Sequence, residues 1–208
     1  MKNITIILAA LLLSHQVSAA TAKAPMKATL DPAASSITWT GKKLVGSHTG
    51  KVSVKDGEFE YNKNKLVSGV VNVDLTTLTD EDLKDAEYNK KIVGHLKSED
   101  FFDVSKFPTA TFKITSLSEI HNFVPGQPNL GVKGELTIRG ITKPFETKVF
   151  YTPNKTGFDI KGKLTIERTQ FGLKYSAKKF LSADKLKEVG DKLIDDNFEV
   201  DLNLVAKK

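Results

Sequence analysis

The chain has 208 residues, no cysteine, and 31 Lys and Arg against 25 Asp and Glu, which gives a formal net charge of +6. The missing cysteines exclude disulfides and paired-cysteine metal sites. The lysines are spread among acids and form no basic block interleaved with aromatic residues, which argues against a nucleic-acid partner and favours a solvated surface. Attraction to an anionic membrane surface or to an acidic ligand head group stays open.

Residues 1–20 have the pattern of a secretory signal peptide. Lys2 is followed by an apolar run at 4–13, and the small residues at 17–20 allow cleavage after Ala19 or Ala20. The run is shorter than the roughly 20 apolar residues of a transmembrane helix, and no cysteine follows it for a lipid anchor. We expect a soluble, exported protein, periplasmic or secreted, with retention of the run as an anchor as the alternative.

Alternating apolar and polar residues predict eight or nine strands beyond the leader. The predicted strands are 36–41, 48–54, 57–61, 67–75, 110–115, 131–140, 145–152, 156–168 and 197–206. Such alternation indicates antiparallel strands with one face on a core, because buried parallel strands would be apolar throughout. We predict one all-β domain over residues 28–206, a closed antiparallel barrel of about eight strands that leaves no sheet edge exposed.

Short helical insertions are predicted at three places. The run Thr-Asp-Glu-Asp at 79–82 resembles a capping box and predicts a polar helix that continues to about Val93. Ser98, with two acids after it, is interpreted as the N-cap of a second, short helix that carries Phe101 and Phe102. Residues 182–189 predict a third helical turn.

The faces predicted to point into the barrel are apolar and aromatic. Eight antiparallel strands leave room for packed side chains or for one slender ligand, so the interior is either a packed core or a dry cavity that prefers hydrocarbon. The candidate ligand-binding residues on these faces are Trp39, Val52, Phe59, Val71, Val73, Phe112, Ile114, Leu136, Ile138 and Ile166. Trp39 is interpreted as either a plug of the core or part of a ligand-binding wall.

Five further candidates lie near the predicted turns. Arg168 ends an inward-facing run, and because a buried arginine is costly unless paired, it either closes one barrel end against an aromatic ring or meets a polar ligand head. Phe102 and Phe171 follow predicted turns and are the preferred ligand contacts at a barrel mouth. His48 and His95 could bond a quinone or phosphate head group, or could serve a structural role through bonds to the backbone.

Neither a metal site nor a catalytic site is predicted. His48, His95 and His121 lie far apart in the sequence, without an HExxH pattern. The carboxylates at 80–82 and 195–196 lack EF-hand spacing and are interpreted as a helix start and a turn. A Gly-x-Ser-x-Gly elbow is missing as well.

Three motifs, in order, resemble those of the YceI-like family. Residues 95–112 read HLKSEDFFDVSKFPTATF and match the family signature HL-S-DFFD--KFP---F; residues 134–143 read GELTIRGITK, and 167–172 read ERTQFG. The resemblance extends from about residue 30 to 205. Many relatives carry an Arg-Asp pair before the histidine, where this chain has Val93 and Gly94, so any role of that pair cannot be transferred.

The resemblance implies an exported, lipocalin-like barrel that holds a polyisoprenoid, an isoprenoid quinone or another long-chain amphiphilic lipid, with no other cofactor and no enzymatic activity. Two alternatives remain. One is a packed barrel that serves as a stress or interaction module. The other is an exported lipid-modifying enzyme, whose sign would be a titratable cluster at the barrel mouth, such as His48 with His95 and a carboxylate. Transient contact with a membrane or a membrane protein is expected, and the oligomeric state is left open, with a homodimer as one alternative.

Overall fold

Antiparallel strands make up about half of the part of the chain that the structure describes. A computed structural model of the protein describes residues 24–121 and 124–208, and the predicted signal peptide lies outside these ranges. The strands are β1 (Met26–Leu30), β2 (Ser36–Lys43), β3 (Ser47–Asn62), β4 (Lys65–Asp74), β5 (Thr109–Glu119), β6 (Leu130–Ile138), β7 (Ile141–Pro153), β8 (Gly157–Glu167) and β9 (Ile194–Lys207). The helices are α1 (Ala86–Lys97) and α2 (Ala183–Val189), with 3₁₀ turns at Leu75–Thr77, Arg168–Phe171, Lys178–Phe180 and Gly190–Lys192.

The strands close into an eight-position antiparallel barrel, which confirms the predicted fold class. Each of β3 to β9 pairs with its neighbours in sequence, and β2 closes the ring between β3 and β9. β1 extends the position of β2, because it also pairs with both β3 and β9 but near the far end of β3. The main hydrophobic core lies within this ring, where alternate side chains of each strand meet.

Two register shifts occur where β3 pairs with β4. β3 covers the predicted strands 48–54 and 57–61 as one continuous strand. A bulge between Val54 and Asp56 shifts the alternation, so that Val54 and Phe59 both lie on the inner side. A second shift, between Glu60 and Tyr61, places Leu66 of β4 inside the barrel. Simple alternation along the predicted strand 67–75 would put Val67 on the inner face with Val71, but Val67 is 48% exposed and lies outside.

The first two predicted helix starts are also wrong. α1 begins after Asp85, whose side chain accepts hydrogen bonds from the N–H groups of Glu87 and Tyr88. The run 79–82 instead lies along β3, where the Thr79 N–H donates to the Lys51 carbonyl. Ser98 ends α1 as its C-cap, with its N–H donating to the His95 carbonyl, and no helix follows it before β5. The third prediction is confirmed, because Ser182 caps α2.

The two ends of the barrel differ in the length of their connections. One end, called the loop end below, carries the β2–β3 hairpin and the connections 75–108, 139–140 and 168–193. The opposite end carries β1 and the turns after β3, β5 and β7. Within the described ranges, neither α-helix is long and apolar enough to cross a membrane. The longest insertions therefore meet at a single end, and the cavity described next is closed there.

Candidate binding cavity

An apolar cavity of about 230 Å³ lies inside the barrel. It is lined by side chains from β2 to β9 and from the loop end, and hydrocarbon dominates its surface. Cavities with such a lining stay dry and accept apolar guests even when they are smaller than this one. Of the two interpretations of the interior, the structure therefore supports a hollow barrel over a fully packed one.

Most of the candidate residues line this cavity. They are Trp39, Val52, Phe59, Val71, Val73, Phe102, Phe112, Ile114, Leu136, Ile138, Ile166 and Arg168. The exceptions are His48 and His95, which lie outside the cavity wall, and Phe171, which is buried in the 3₁₀ turn after β8. A role of any of these side chains in ligand binding stays a prediction.

Several lining residues were not among the candidates. Val132, Leu202 and Leu204 continue the alternation of β6 and β9, so the sequence pattern could have identified them. Leu96, Phe101 and Leu173 come from the connections at the loop end, where no periodicity marks an inward position. Phe101 is 6% exposed and Leu173 is 1% exposed, so these connections form part of the cavity wall.

The segment after α1 closes the loop end of the cavity. Asp103 adopts a left-handed conformation with φ of 47°, which an aspartate tolerates better than most residues. Its N–H donates to the Ser98 carbonyl at 2.8 Å, and its carbonyl accepts from the Phe107 N–H at 2.9 Å. This tight turn directs Phe101 inward and sets the Phe102 ring edge-on to Phe198, with 6.4 Å between the ring centroids.

Arg168 holds the other long connection at this end. Its Nε donates to the carbonyl of Asp195 at 2.8 Å, and its Nη atoms donate to those of Leu173, Tyr175 and Ile194 at 2.8 to 3.1 Å. Burial lowers the pKa of the guanidinium, and the nearby charges of Asp196 and Asp195 oppose this shift. The guanidinium carbon lies 5.9 Å from the Phe101 ring centroid. Of the two interpretations, the structure supports closure of the barrel end against an aromatic ring.

The ring nitrogens of His48 and His95 bond to carboxylates. The expectation that a structural role would rest on bonds to the backbone is therefore wrong. His95 Nε2 lies 3.1 Å from Asp100 Oδ2, and the His95 ring packs edge-on against Phe101 and Tyr175. His48 Nδ1 lies 3.1 Å from Asp82 Oδ2. The two histidines thus have separate carboxylate partners and do not share one cluster.

The far end of the barrel is filled by an aromatic cluster. Phe158 is 1% exposed and meets Phe59, Tyr61 and Tyr151 at centroid distances of 5.2 to 6.2 Å. Of these four rings only Phe59 lines the cavity, which therefore ends against the cluster.

Comparison with known proteins gives one family for nearly the whole described barrel. Residues 29–206 match the model of the YceI-like domain. A UPF0312 protein of Vibrio cholerae is 41% identical over 97 residues, which cover 46% of this chain and 45% of the relative. Protein YceI of Escherichia coli is 32% identical over 120 residues, or 54% of this chain and 57% of the relative. The matched part thus spans about half the length of these curated relatives.

Two solved structures share the fold. BcnA of Burkholderia cenocepacia superposes with a TM-score of 0.60 at 21% identity, over 84% of this chain and 98% of BcnA. A polyisoprenoid binding domain from Saccharophagus degradans gives a TM-score of 0.57 at 12% identity, over 86% of this chain and 97% of that domain. At these identities the likeness concerns the barrel alone.

Proposed function

This chain belongs to the YceI-like family, and on that premise we propose that its barrel binds one long-chain isoprenoid or similar amphiphilic lipid and carries or sequesters it. The observation that carries the proposal is the apolar cavity that runs between Phe59 and the closure at Phe101 and Phe102. The polyisoprenoid binding named for the Saccharophagus degradans domain, which has the same fold, supports this ligand class.

The chemistry of the cavity suits a hydrocarbon chain. Each methylene that leaves water contributes roughly 0.8 kcal/mol, and the ordering of ligand and protein takes back several kcal/mol. An interior formed by eight strands is narrow, so it favours a slender chain over a bulky ring system. A polyisoprenoid tail meets both conditions.

The ligand head group is expected at the loop end. The aromatic cluster around Phe158 blocks the opposite end, so the tail must point toward it. The loop end is closed by the segment that carries Phe101 and Phe102 and by Arg168, whose donors are bonded to backbone carbonyls. Loading therefore requires the segment that carries Phe101 and Phe102 to move aside.

The loop end also carries the features expected of a membrane contact. Leu44 and Val45, at the tip of the β2–β3 hairpin, are 68% and 70% exposed, and Lys42 and Lys43 precede them. Apolar side chains beside lysines suit an anionic bilayer surface, where the lysines meet lipid head groups. We propose that the barrel exchanges its lipid with this end against a membrane, after export directed by the signal peptide predicted at 1–20.

Binding is favoured over catalysis by the composition of the wall. Among the described residues that line the cavity, Arg168 is the one ionisable side chain, and its donors are bonded to backbone carbonyls. A lipid-modifying enzyme would need a general acid, a general base or a nucleophile within reach of the ligand. The wall offers threonines and Arg168 as its polar side chains, which supports a non-enzymatic role.

Native mass spectrometry of protein purified from its own cells, followed by solvent extraction, tests the proposal. We expect one long-chain isoprenoid or quinone per barrel, which would also identify the head group. Reconstitution of delipidated protein with an isoprenoid quinone should restore the complex. A barrel that is empty as purified and refuses added isoprenoids would overturn the proposal and favour an interaction module.

A further inference from the structure

We propose that His48, Asp80 and Asp82 form a binding site for a divalent transition-metal ion, with Zn²⁺ as the preferred ion. His48 Nδ1 lies 3.1 Å from Asp82 Oδ2 and 3.7 Å from Asp80 Oδ2. The imidazole nitrogen and one oxygen from each carboxylate all lie within 4.8 Å of one another. The site is independent of the lipid cavity, because none of the three side chains lines it.

Each carboxylate is held by one oxygen and presents the other. Asp80 Oδ1 accepts from the Leu83 N–H at 3.0 Å and from Asn89 Nδ2 at 3.4 Å, and Asp82 Oδ1 accepts from the Thr49 N–H at 2.7 Å. Both Oδ2 atoms are thereby directed toward His48. Hydrogen bonds that fix the ligating groups from behind are the usual outer shell of a metal site.

Asp80 gives an independent indication of a ligand. Its side chain is 0% exposed, and the described residues offer its Oδ2 no hydrogen-bond partner. An unpaired carboxylate oxygen in the interior is costly, and His48 at 3.7 Å is too distant for a hydrogen bond. A cation between the two Oδ2 atoms and the imidazole would satisfy this oxygen. It would also balance the two negative charges.

The spacing and the ligand types indicate the kind of ion. Zn²⁺ bonds nitrogen and oxygen at about 2.0 to 2.2 Å, so tetrahedral ligand atoms lie about 3.4 Å apart. The distances of 3.1 and 3.7 Å bracket this value. Ca²⁺ takes six to eight oxygen ligands, whereas an imidazole favours Zn²⁺ and related metals. His48 and Asp82 are 18% and 34% exposed, which leaves a water-accessible fourth position.

The local backbone brings the three ligands together. A Cβ on Gly50 would lie 1.8 Å from the Thr79 carbonyl oxygen, so the absence of a side chain lets the run 79–82 lie directly on β3. The Glu81 N–H also donates to the Thr49 carbonyl. A bound ion would therefore fasten β3 to the start of the long connection that carries α1 and the closure of the cavity.

Metal titration of the full-length exported protein, stripped with a chelator and dialysed, tests this proposal. We expect one equivalent of Zn²⁺ by calorimetry and an increase in Tm, with Co²⁺ giving a visible absorption band on binding. His48→Gln and Asp82→Asn should each weaken Zn²⁺ binding more than about tenfold, since they remove a direct ligand rather than an outer-shell partner. Asp82 is partly exposed, so its variant should fold even if a change at buried Asp80 does not.

His95→Gln is the matched control. His95 forms a similar 3.1 Å pair with Asp100 but belongs to no three-ligand cluster among the described residues. Its substitution should leave the stoichiometry of one Zn²⁺ per chain, the Tm increase and the Co²⁺ absorption band unchanged. The proposal is overturned if the wild-type protein does not bind Zn²⁺ in the calorimetric titration. Zn²⁺ binding that persists at full strength in His48→Gln and Asp82→Asn would also overturn it, because the metal would then lie elsewhere.

Discussion

The indole N–H of Trp39 donates a 3.1 Å hydrogen bond to the backbone carbonyl of Thr79. Trp39 lines the cavity from β2, whereas Thr79 belongs to the connection that leads to α1 and to the closure at the loop end. The Trp39 ring also lies over Gly50, where a Cβ would come within 2.8 Å of it. One side chain thus joins the inner wall to the connection that closes the cavity.

The emission of Trp39 should report on cavity occupancy. The chain has one tryptophan, so its fluorescence comes from this position on the wall. We expect an isoprenoid quinone to quench the emission, since its electron-accepting ring would lie near the indole at the loop end of the cavity. The measurement is a fluorescence titration of delipidated protein. Unchanged emission in a sample that native mass spectrometry shows to be loaded would place the lipid away from Trp39.

A lysine at position 73 should block the cavity. Val73 of β4 lines the wall, and Val73→Lys would bring an ammonium group into an apolar interior, where a charge is strongly disfavoured. We expect at least a tenfold loss of lipid affinity in the titration described above. Val67→Lys is the matched control, because Val67 lies on the same strand but is 48% exposed. Equal affinity in two folded variants would contradict the assignment of Val73 to the wall.

The sequence was sufficient to predict the barrel and most of its wall. Period-two alternation is a local property of each strand, so residues such as Val71, Leu136 and Ile166 could be assigned to the inner side without knowledge of their neighbours. The bulge after Val54 and the exposure of Val67 could not be predicted in this way. Both depend on how β3 pairs with β4, and that register is set by tertiary contacts.

The loop end was less predictable, for two physical reasons. Ser98 can cap either end of a helix. It lies at the C-terminus here because α1 begins at the N-cap Asp85, whereas the capping-box pattern at 79–82 had indicated an earlier helix start. The pairing of His48 with Asp82 joins residues 34 positions apart, through a connection with no periodic pattern. The cavity closure and the proposed metal site both depend on such contacts.

Loss of the Arg168 guanidinium should destabilise the barrel itself. Arg168→Met keeps much of the apolar length but leaves the carbonyls of Leu173, Tyr175, Asp195 and Ile194 without this donor. Buried acceptors that lose their partner cost about 1 to 3 kcal/mol each when water cannot replace it, so we expect a loss of at least about 3 kcal/mol in the free energy of unfolding. Urea denaturation followed by circular dichroism measures it.

Arg139→Met is the control for Arg168→Met. Arg139 lies in the turn at 139–140 of the same barrel end and makes one long bond, 3.4 Å, to the Gly172 carbonyl. Its loss should change the free energy of unfolding by less than about 1 kcal/mol. Similar losses in the two variants would mean that the carbonyls around Arg168 find other donors.

Tyr151→Phe should leave the protein as stable as the wild type or make it more stable. The Tyr151 hydroxyl is buried, and the described residues give it no hydrogen-bond partner, so its removal relieves a desolvated polar group at a gain of up to about 1 kcal/mol at neutral pH.

Burial, with a smaller contribution from Tyr61, raises the pKa of Tyr151 to about 12. The folded protein therefore favours the neutral phenol, and this preference is fully present below the ordinary pKa of 10 and is lost as the pH rises through 12. The wild type should lose more stability between pH 9 and 12 than Tyr151→Phe does, whereas Tyr88→Phe at an exposed ring should follow the wild type. Urea unfolding across this range measures the difference, and a destabilised Tyr151→Phe at pH 7 would show that the hydroxyl has a partner in solution.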